Sequence, residues 1–142
     1  MAIFKHILVP VDFTDANEAA LSVALELATQ NGSRLTLLHV IERVDQAEDE
    51  EMQKFNRMLL ENAQQQLAGM TGPFDEAGVS VEKVVVYGRR GGEIVRYSQD
   101  SGVDLLVLSS HKVNLEEERP EWGTLSHQIS IVCQCPVLLV KR

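Results

Sequence analysis

Four short apolar segments rich in β-branched residues, HILVPV (6–11), RLTLLHVI (34–41), VDLLVLSS (103–110) and PVLLVK (136–141), are set apart by stretches with helical periodicity. A near-continuous apolar run of this length is the pattern of a strand covered on both faces, as in a parallel sheet. A fifth segment, VSVEKVVVY (79–87), alternates and fits a sheet edge. Between the strands, residues 15–31 carry Ala20, Leu21, Ala24, Leu25 and Ala28 on one helical face. Thr14 or Asp15 is the expected N-cap there, and Gly32 the expected stop. Over 49–70, Met52, Phe55, Leu59, Ala63 and Leu67 recur at spacings of three and four before Gly72-Pro73 breaks the pattern. A shorter helix covers GEIVRYSQDS, and the last runs from Thr124 to Cys133, where Pro136 ends it.

Strand alternating with helix implies an open five-stranded parallel sheet with helices on both faces, a Rossmann-like α/β architecture. Right-handed crossovers leave the strand orders 2-1-3-4-5 and 3-2-1-4-5 as the leading ones. In the second, strands 1 and 4 are neighbours whose connections leave in opposite directions. The crevice beyond their carboxyl ends is then the expected ligand site. The loops there are DFTD (12–15) and the long stretch that follows strand 4.

At 142 residues the chain suits a single domain, residues 1–142, with a sizeable core. No apolar run approaches the ~20 residues that span a bilayer. The apolar N-terminal run meets Asp12 and Asp15 and no small-residue cleavage site, so a strand is expected there and not a signal peptide. A cytoplasmic protein is expected. Thirteen basic against twenty-one acidic residues give a net charge of −8, which repels nucleic acid and anionic membranes. Cys133 and Cys135 are too few ligands for a structural zinc site, and two reduced thiols are the expected state.

Asp12, at the carboxyl end of strand 1, can accept a hydrogen bond from an adenine amino group or hold a metal; equally, it can cap backbone N–H groups at the start of a helix. Gly123-Thr124 opens the last helix, where unpaired N–H groups and a hydroxyl form an anion site, although such a threonine more commonly caps its own helix. GRRGGE (88–93) lacks Lys-Ser or Lys-Thr after its glycines and is no Walker loop. It follows the third strand, and a turn plus helix start at the sheet edge, away from the crevice, accounts for it. From 111 to 121, Lys112 and Arg119 face Glu116, Glu117, Glu118 and Glu121, with His111 mostly neutral. This segment repels a triphosphate unless Mg²⁺ bridges it or the acids point outward, and a solvated loop is its plainer account. Its length and charge also suit a lid or a protein partner at the acidic loop, 112–122. Ser110-His111 and Ser126-His127 are adjacent pairs without a G-x-S-x-G elbow, so no catalytic residue is assigned.

Together these residues resemble the universal stress protein family over nearly the whole chain. HILVPVDFTDANEAALSVALELA is similar to its first strand and helix, LTLLHVIE to its second strand, VVYGRRGGEIVRYSQDSGVDLLVLSSH to its V-x-x-G…I…A…D-L-I-V segment, and CPVLLV to its closing strand. The resemblance implies the order 3-2-1-4-5 and a homodimer through the C-terminal strand. It also implies an adenine nucleotide (ATP, ADP or AMP, with Mg²⁺ where a triphosphate is bound) with Pro10, Asp12 and Val40 around the base. Leu108 and Ser109 would then lie near the ribose, and Gly123, Thr124 and Leu125 at the phosphate end. Nucleotide-binding members carry G-x-x-G, nine residues, then G-[ST]. Here Ser109 and Lys112 stand in place of the early glycines, and ten residues separate Lys112 from Gly123. Lys112 would reach a phosphate as a point charge. Three readings follow: a stress-response sensor that binds an adenine nucleotide, a scaffold that binds none and uses its acidic loop, and a slow nucleotide-cleaving enzyme.

Overall fold

The computed structural model describes residues 3–42, 49–110, 116 and 124–141. Strands β1 (His6–Pro10), β2 (Arg34–Ile41), β3 (Val81–Tyr87), β4 (Leu105–Ser110) and β5 (Val137–Lys141) form one sheet. Its order is β3-β2-β1-β4-β5, and every pairing is parallel. The alternating segment 79–87 is indeed an edge strand.

Because side chains alternate along a strand, each interior strand feeds two cores. Ile7, Val9, Leu35, Leu37, Leu105 and Val107 face one way, and Leu8, Leu38, Val40, Leu106 and Leu108 the other. Helix α1 (Asn17–Asn31) lies on the first face with Ala20, Ala24 and Ala28 buried, while Leu21 and Leu25 flank that stripe. Alanine at every fourth position lets the helix approach the sheet closely. Gly32, at φ 65°, ends the helix in the left-handed conformation that other residues adopt at a cost.

The same face takes α2 (Glu50–Ala68) through Ala63 and Leu67, and Asp49 caps its start by accepting from the Met52 amide. The expected stripe packs only in its second half: Phe55 is 52% exposed. Helix α2 stops at Gly69, its C-cap, and not at Gly72-Pro73, which instead opens a short helix, α3 (Gly72–Glu76), that buries Phe74. Proline suits such a first turn, where its missing N–H costs nothing.

Helices α4 (Arg90–Asp100) and α5 (Leu125–Val132) cover the second face through Ile94 and Ile129. They touch where Gly91 faces Leu125: a Cβ on that glycine would lie 3.2 Å from the Leu125 Cδ1. No helix among the described residues is long and apolar enough to cross a membrane.

Candidate functional site

The carboxyl ends of β1 and β4 open onto a cavity of about 190 Å³. The ends of the strands supply its floor: Pro10 of β1 with Val11 just beyond it, Leu38 and Val40 from β2, Leu108 and Ser109 from β4. Asp12 and Asn17 form one wall, Arg90 and Ile94 of α4 a second, and the first turn of α5 with Thr124, Leu125 and Ser126 a third. Of the nine residues expected to hold a nucleotide, Pro10, Asp12, Val40, Leu108, Ser109, Thr124 and Leu125 therefore come together around one space. Lys112 and Gly123 lie outside the described residues, as do Arg119 and most of the acidic run.

The loop after β1 is held by a side chain that sequence reasoning left inside the helix. Asn17 is buried, and its Oδ1 accepts from the Asp12 and Phe13 amides at 2.9 and 3.1 Å. Its Nδ2 reaches the Ser109 hydroxyl across the crevice at 3.4 Å. Neither Thr14 nor Asp15 caps α1 as expected. The N-cap is Ala16, without a side-chain bond, and the Thr14 and Asp15 carbonyls accept from the Asn17 and Glu18 amides instead. Phe13 occupies the left-handed region at φ 66°, and its ring stacks on His39 with centroids 4.2 Å apart. His39 Nδ1 in turn donates to the Val11 carbonyl at 2.8 Å, which pins the end of β1.

Asp12 lines the cavity and braces its own loop; it does not cap the start of α1. Its Oδ1 accepts from the Thr14 amide and hydroxyl at 3.1 and 2.6 Å, which shapes the loop, and the residue still lines the cavity. Partial burial pushes its carboxyl up. The Thr14 hydroxyl and amide, the Arg90 charge and its own amide outweigh that and hold it below the usual carboxylate value. Asp12 is thus an anion at neutral pH.

Arg90 corrects the expectation for GRRGGE. The segment is a turn and helix start, as expected, but it does not lie away from the crevice. The crossover from β3 to β4 must pass over β2 and β1, and so it carries the start of α4 to the cavity mouth. The Glu42 carboxylate accepts from the Arg90 amide at 3.2 Å and fixes that helix end. The signal available in the sequence was the strand order itself.

At the opposite wall, Thr124 accepts from the His127 amide at 3.3 Å and caps α5. Its hydroxyl begins a chain of polar contacts: Thr124 to Ser126 at 3.2 Å, Ser126 to Ser110 at 3.3 Å, and Lys141 Nζ to Ser110 at 3.0 Å. No group of three or more metal-ligating side chains occurs among the described residues. The two cysteines are free thiols 3.4 Å apart, before the amino end of β5. Burial, followed by the Cys133 thiol, pushes Cys135 up to about 12, so it is not a thiolate at neutral pH.

Residues 3–141 match the Universal stress protein family. The chain belongs to the universal stress protein family. Universal stress protein MJ0577 of Methanocaldococcus jannaschii is 27% identical over 157 residues, covering 98% of this chain and 96% of its own. The MJ0577 structure superposes with a TM-score of 0.81 at 26% identity, over 99% of this chain and 98% of that one. A universal stress protein family member from Arabidopsis thaliana, solved with AMP bound, gives a TM-score of 0.71 at 21% identity, over 97% of this chain and 92% of that one. The universal stress protein from Archaeoglobus fulgidus in complex with dAMP gives 0.68 at 20% identity, over 98% of this chain and 99% of that one. These likenesses establish the fold as that of universal stress proteins, with the sheet order expected from the sequence.

Proposed function

We propose that this universal stress protein binds an adenine nucleotide, with AMP preferred to ATP, in the crevice above β1 and β4. It would act there as a sensor or regulator. One observation carries the reading: an apolar slot floored by Val40 and Leu108 ends at the anionic Asp12 on one side and at a hydroxyl-bearing helix start on the other. An aromatic base with an exocyclic amine fits the first end, since a carboxylate accepts from an amine. A phosphate fits the second.

The cavity of about 190 Å³ lies below the ~300 Å³ at which pockets for drug-sized ligands begin, which favours the smaller nucleotides. Serine and lysine at the early glycine positions point the same way, because a triphosphate needs close backbone approach along its length. The family relatives solved with AMP and dAMP, both monophosphates, support this preference. With ATP bound, Mg²⁺ would have to offset the acidic run.

Two further features belong to the same reading. Strand β5 is a sheet edge whose Leu138 is 37% exposed, and pairing it with a second copy would cover that edge in a homodimer. The acidic surface and the expected reduced thiols suit the cytoplasm. The loss of the early glycines favours one competing reading, a scaffold that binds a basic protein through its acidic loop.

Calorimetric titration of nucleotide-stripped protein with AMP, and with ATP with and without Mg²⁺, tests the proposal. The expected result is micromolar AMP binding, about −8 kcal/mol, weaker ATP binding, and loss of both in Asp12→Ala. A folded protein that gives no heat with any of them supports the scaffold instead.

A further inference from the structure

Among the described residues, the one cation on the cavity wall is Arg90, at the first turn of α4. Its backbone is fixed on both sides. The Glu42 carboxylate accepts from its amide at 3.2 Å, and the next residue, Gly91, lets α4 lie against Leu125 at the start of α5. Ile94, four residues on and so on the same helical face, is buried in the core with Val40 and Leu108. Arg90 therefore sits one turn above the floor of the slot, at its mouth.

Its charge bears on Asp12, on the base side of the cavity, and helps to hold that carboxyl ionised. The two groups nevertheless form no ion pair, and neither pairs with any other charge among the described residues. Asp12 commits Oδ1 to the Thr14 amide and hydroxyl, while no side chain among the described residues bonds its Oδ2. An oxygen that only accepts and a guanidinium that only donates thus face one small cavity, within electrostatic reach but out of contact. Mutual attraction alone is best served by direct, bidentate contact between such groups. The gap leaves both of them for a third group.

The group that fits is planar and carries a donor beside an acceptor. The amine edge of adenine is of this kind, because its exocyclic N–H₂ is flanked by unprotonated ring nitrogens, N7 on one side and N1 on the other. We propose that Arg90 is a base-reading residue: Asp12 Oδ2 accepts from the amine while the Arg90 guanidinium donates to an adjacent ring nitrogen. This deepens the nucleotide reading above and rests on it. Selection of the base is then shared between the loop after β1 and the start of α4, and the start of α5 is left to the phosphate.

The test titrates AMP, adenosine, 1-deaza-AMP and 7-deaza-AMP into wild type and Arg90→Met; each deaza compound replaces one ring nitrogen by C–H and keeps the amine. Arg90 is half-buried at a helix start, and methionine preserves much of its stem, so the variant is expected to fold. Wild type should bind one of the two deaza compounds about tenfold more weakly than AMP, through the loss of one charge-assisted hydrogen bond. Arg90→Met should bind AMP and adenosine about tenfold more weakly and no longer distinguish AMP from that deaza compound. A residue that merely packs would weaken every ligand alike and leave the deaza difference in place. Three results overturn the assignment while nucleotide binding stands: a wild type indifferent to both deaza compounds, a deaza difference that persists in Arg90→Met, or a variant that weakens AMP and spares adenosine, which would make Arg90 a phosphate contact. If folded wild type binds neither AMP nor adenosine, the nucleotide reading falls first and this one with it.

Discussion

Asn17→Ala tests how the β1–α1 loop is built. The substitution removes the acceptor shared by the Asp12 and Phe13 amides and leaves the helix otherwise intact. Each buried donor stranded in this way costs about 1–3 kcal/mol. These amides are only partly buried, so water recovers some of the loss, and about 1 kcal/mol each is the reasonable share. The Ser109 contact, at 3.4 Å, adds little. Phe13 raises the stakes, because its φ of 66° carries an inherent cost of about 1–2 kcal/mol that the Asn17 bond helps to offset. A destabilisation of about 2 kcal/mol follows, or about 6–10 °C in Tm for a chain of this size.

Urea denaturation followed by circular dichroism measures it, with Asn17→Asp as the control. Aspartate keeps the acceptor but loses the amide N–H₂ and brings a buried charge beside the Asp12 anion, so it should recover only part of the lost stability. The reasoning fails if Asn17→Ala lies within about 0.5 kcal/mol of wild type at unchanged m-value.

Two other predictions concern the far end and the edge of the sheet. His6 is buried, its Nδ1 donates to the Ser101 carbonyl at 3.2 Å, and its Nε2 lies 2.7 Å from the Thr36 hydroxyl, from which the neutral ring accepts. Burial, then Arg34, pulls its pKa below the usual 6.5, against the Ser101 carbonyl, Glu82 and Asp104. The unfolded chain therefore takes up the proton first. Its contribution is complete above pH 6.5 and is lost as pH falls through the lowered folded value, at up to about 1.4 kcal/mol per pH unit. Denaturation midpoints for wild type and His6→Gln between pH 7.5 and 5 should show a slope that the variant flattens; parallel profiles would count against it. Leu139→Pro, opposite Leu108 in the β4–β5 ladder, is expected to give monomer or insoluble protein by light scattering. A soluble variant with the mass of an unaltered dimer would rule out β5 as the interface.

Much of this architecture was legible in the sequence because its signals are periodic. The alanines of α1 and the β-branched strands declare their faces, and the alternating segment 79–87 declares an edge. Short or non-local features were not legible. Helix α3 is too brief for a period to show. Arg90 was assigned to the edge because its chain neighbour is β3, whereas the crossover places it over the centre. Asn17 reads as one more helical residue until the loop it clamps is seen. Lys141 and Ser110 are 31 residues apart, and only the strand register brings them together. Lys112 and Gly123 lie outside the described residues, so their contribution to the site rests on the family resemblance.

Strand β1 is flanked by β2 and β4, and its pairing of Ile7 with Leu105 closes the largest gap along the chain within the sheet. A ribosome making about 5–20 residues per second emits β4 roughly 5–20 seconds after β1. During that interval β1 can pair with β2, and β2 with β3, but the other edge of β1 stays bare. The strand made first thus waits longest for its second neighbour, and the crevice above it comes into being only when β4 docks. A nucleotide can then bind only a chain whose synthesis has gone past β4, and any nucleotide that does bind stabilises the finished fold by mass action without assisting the nascent one.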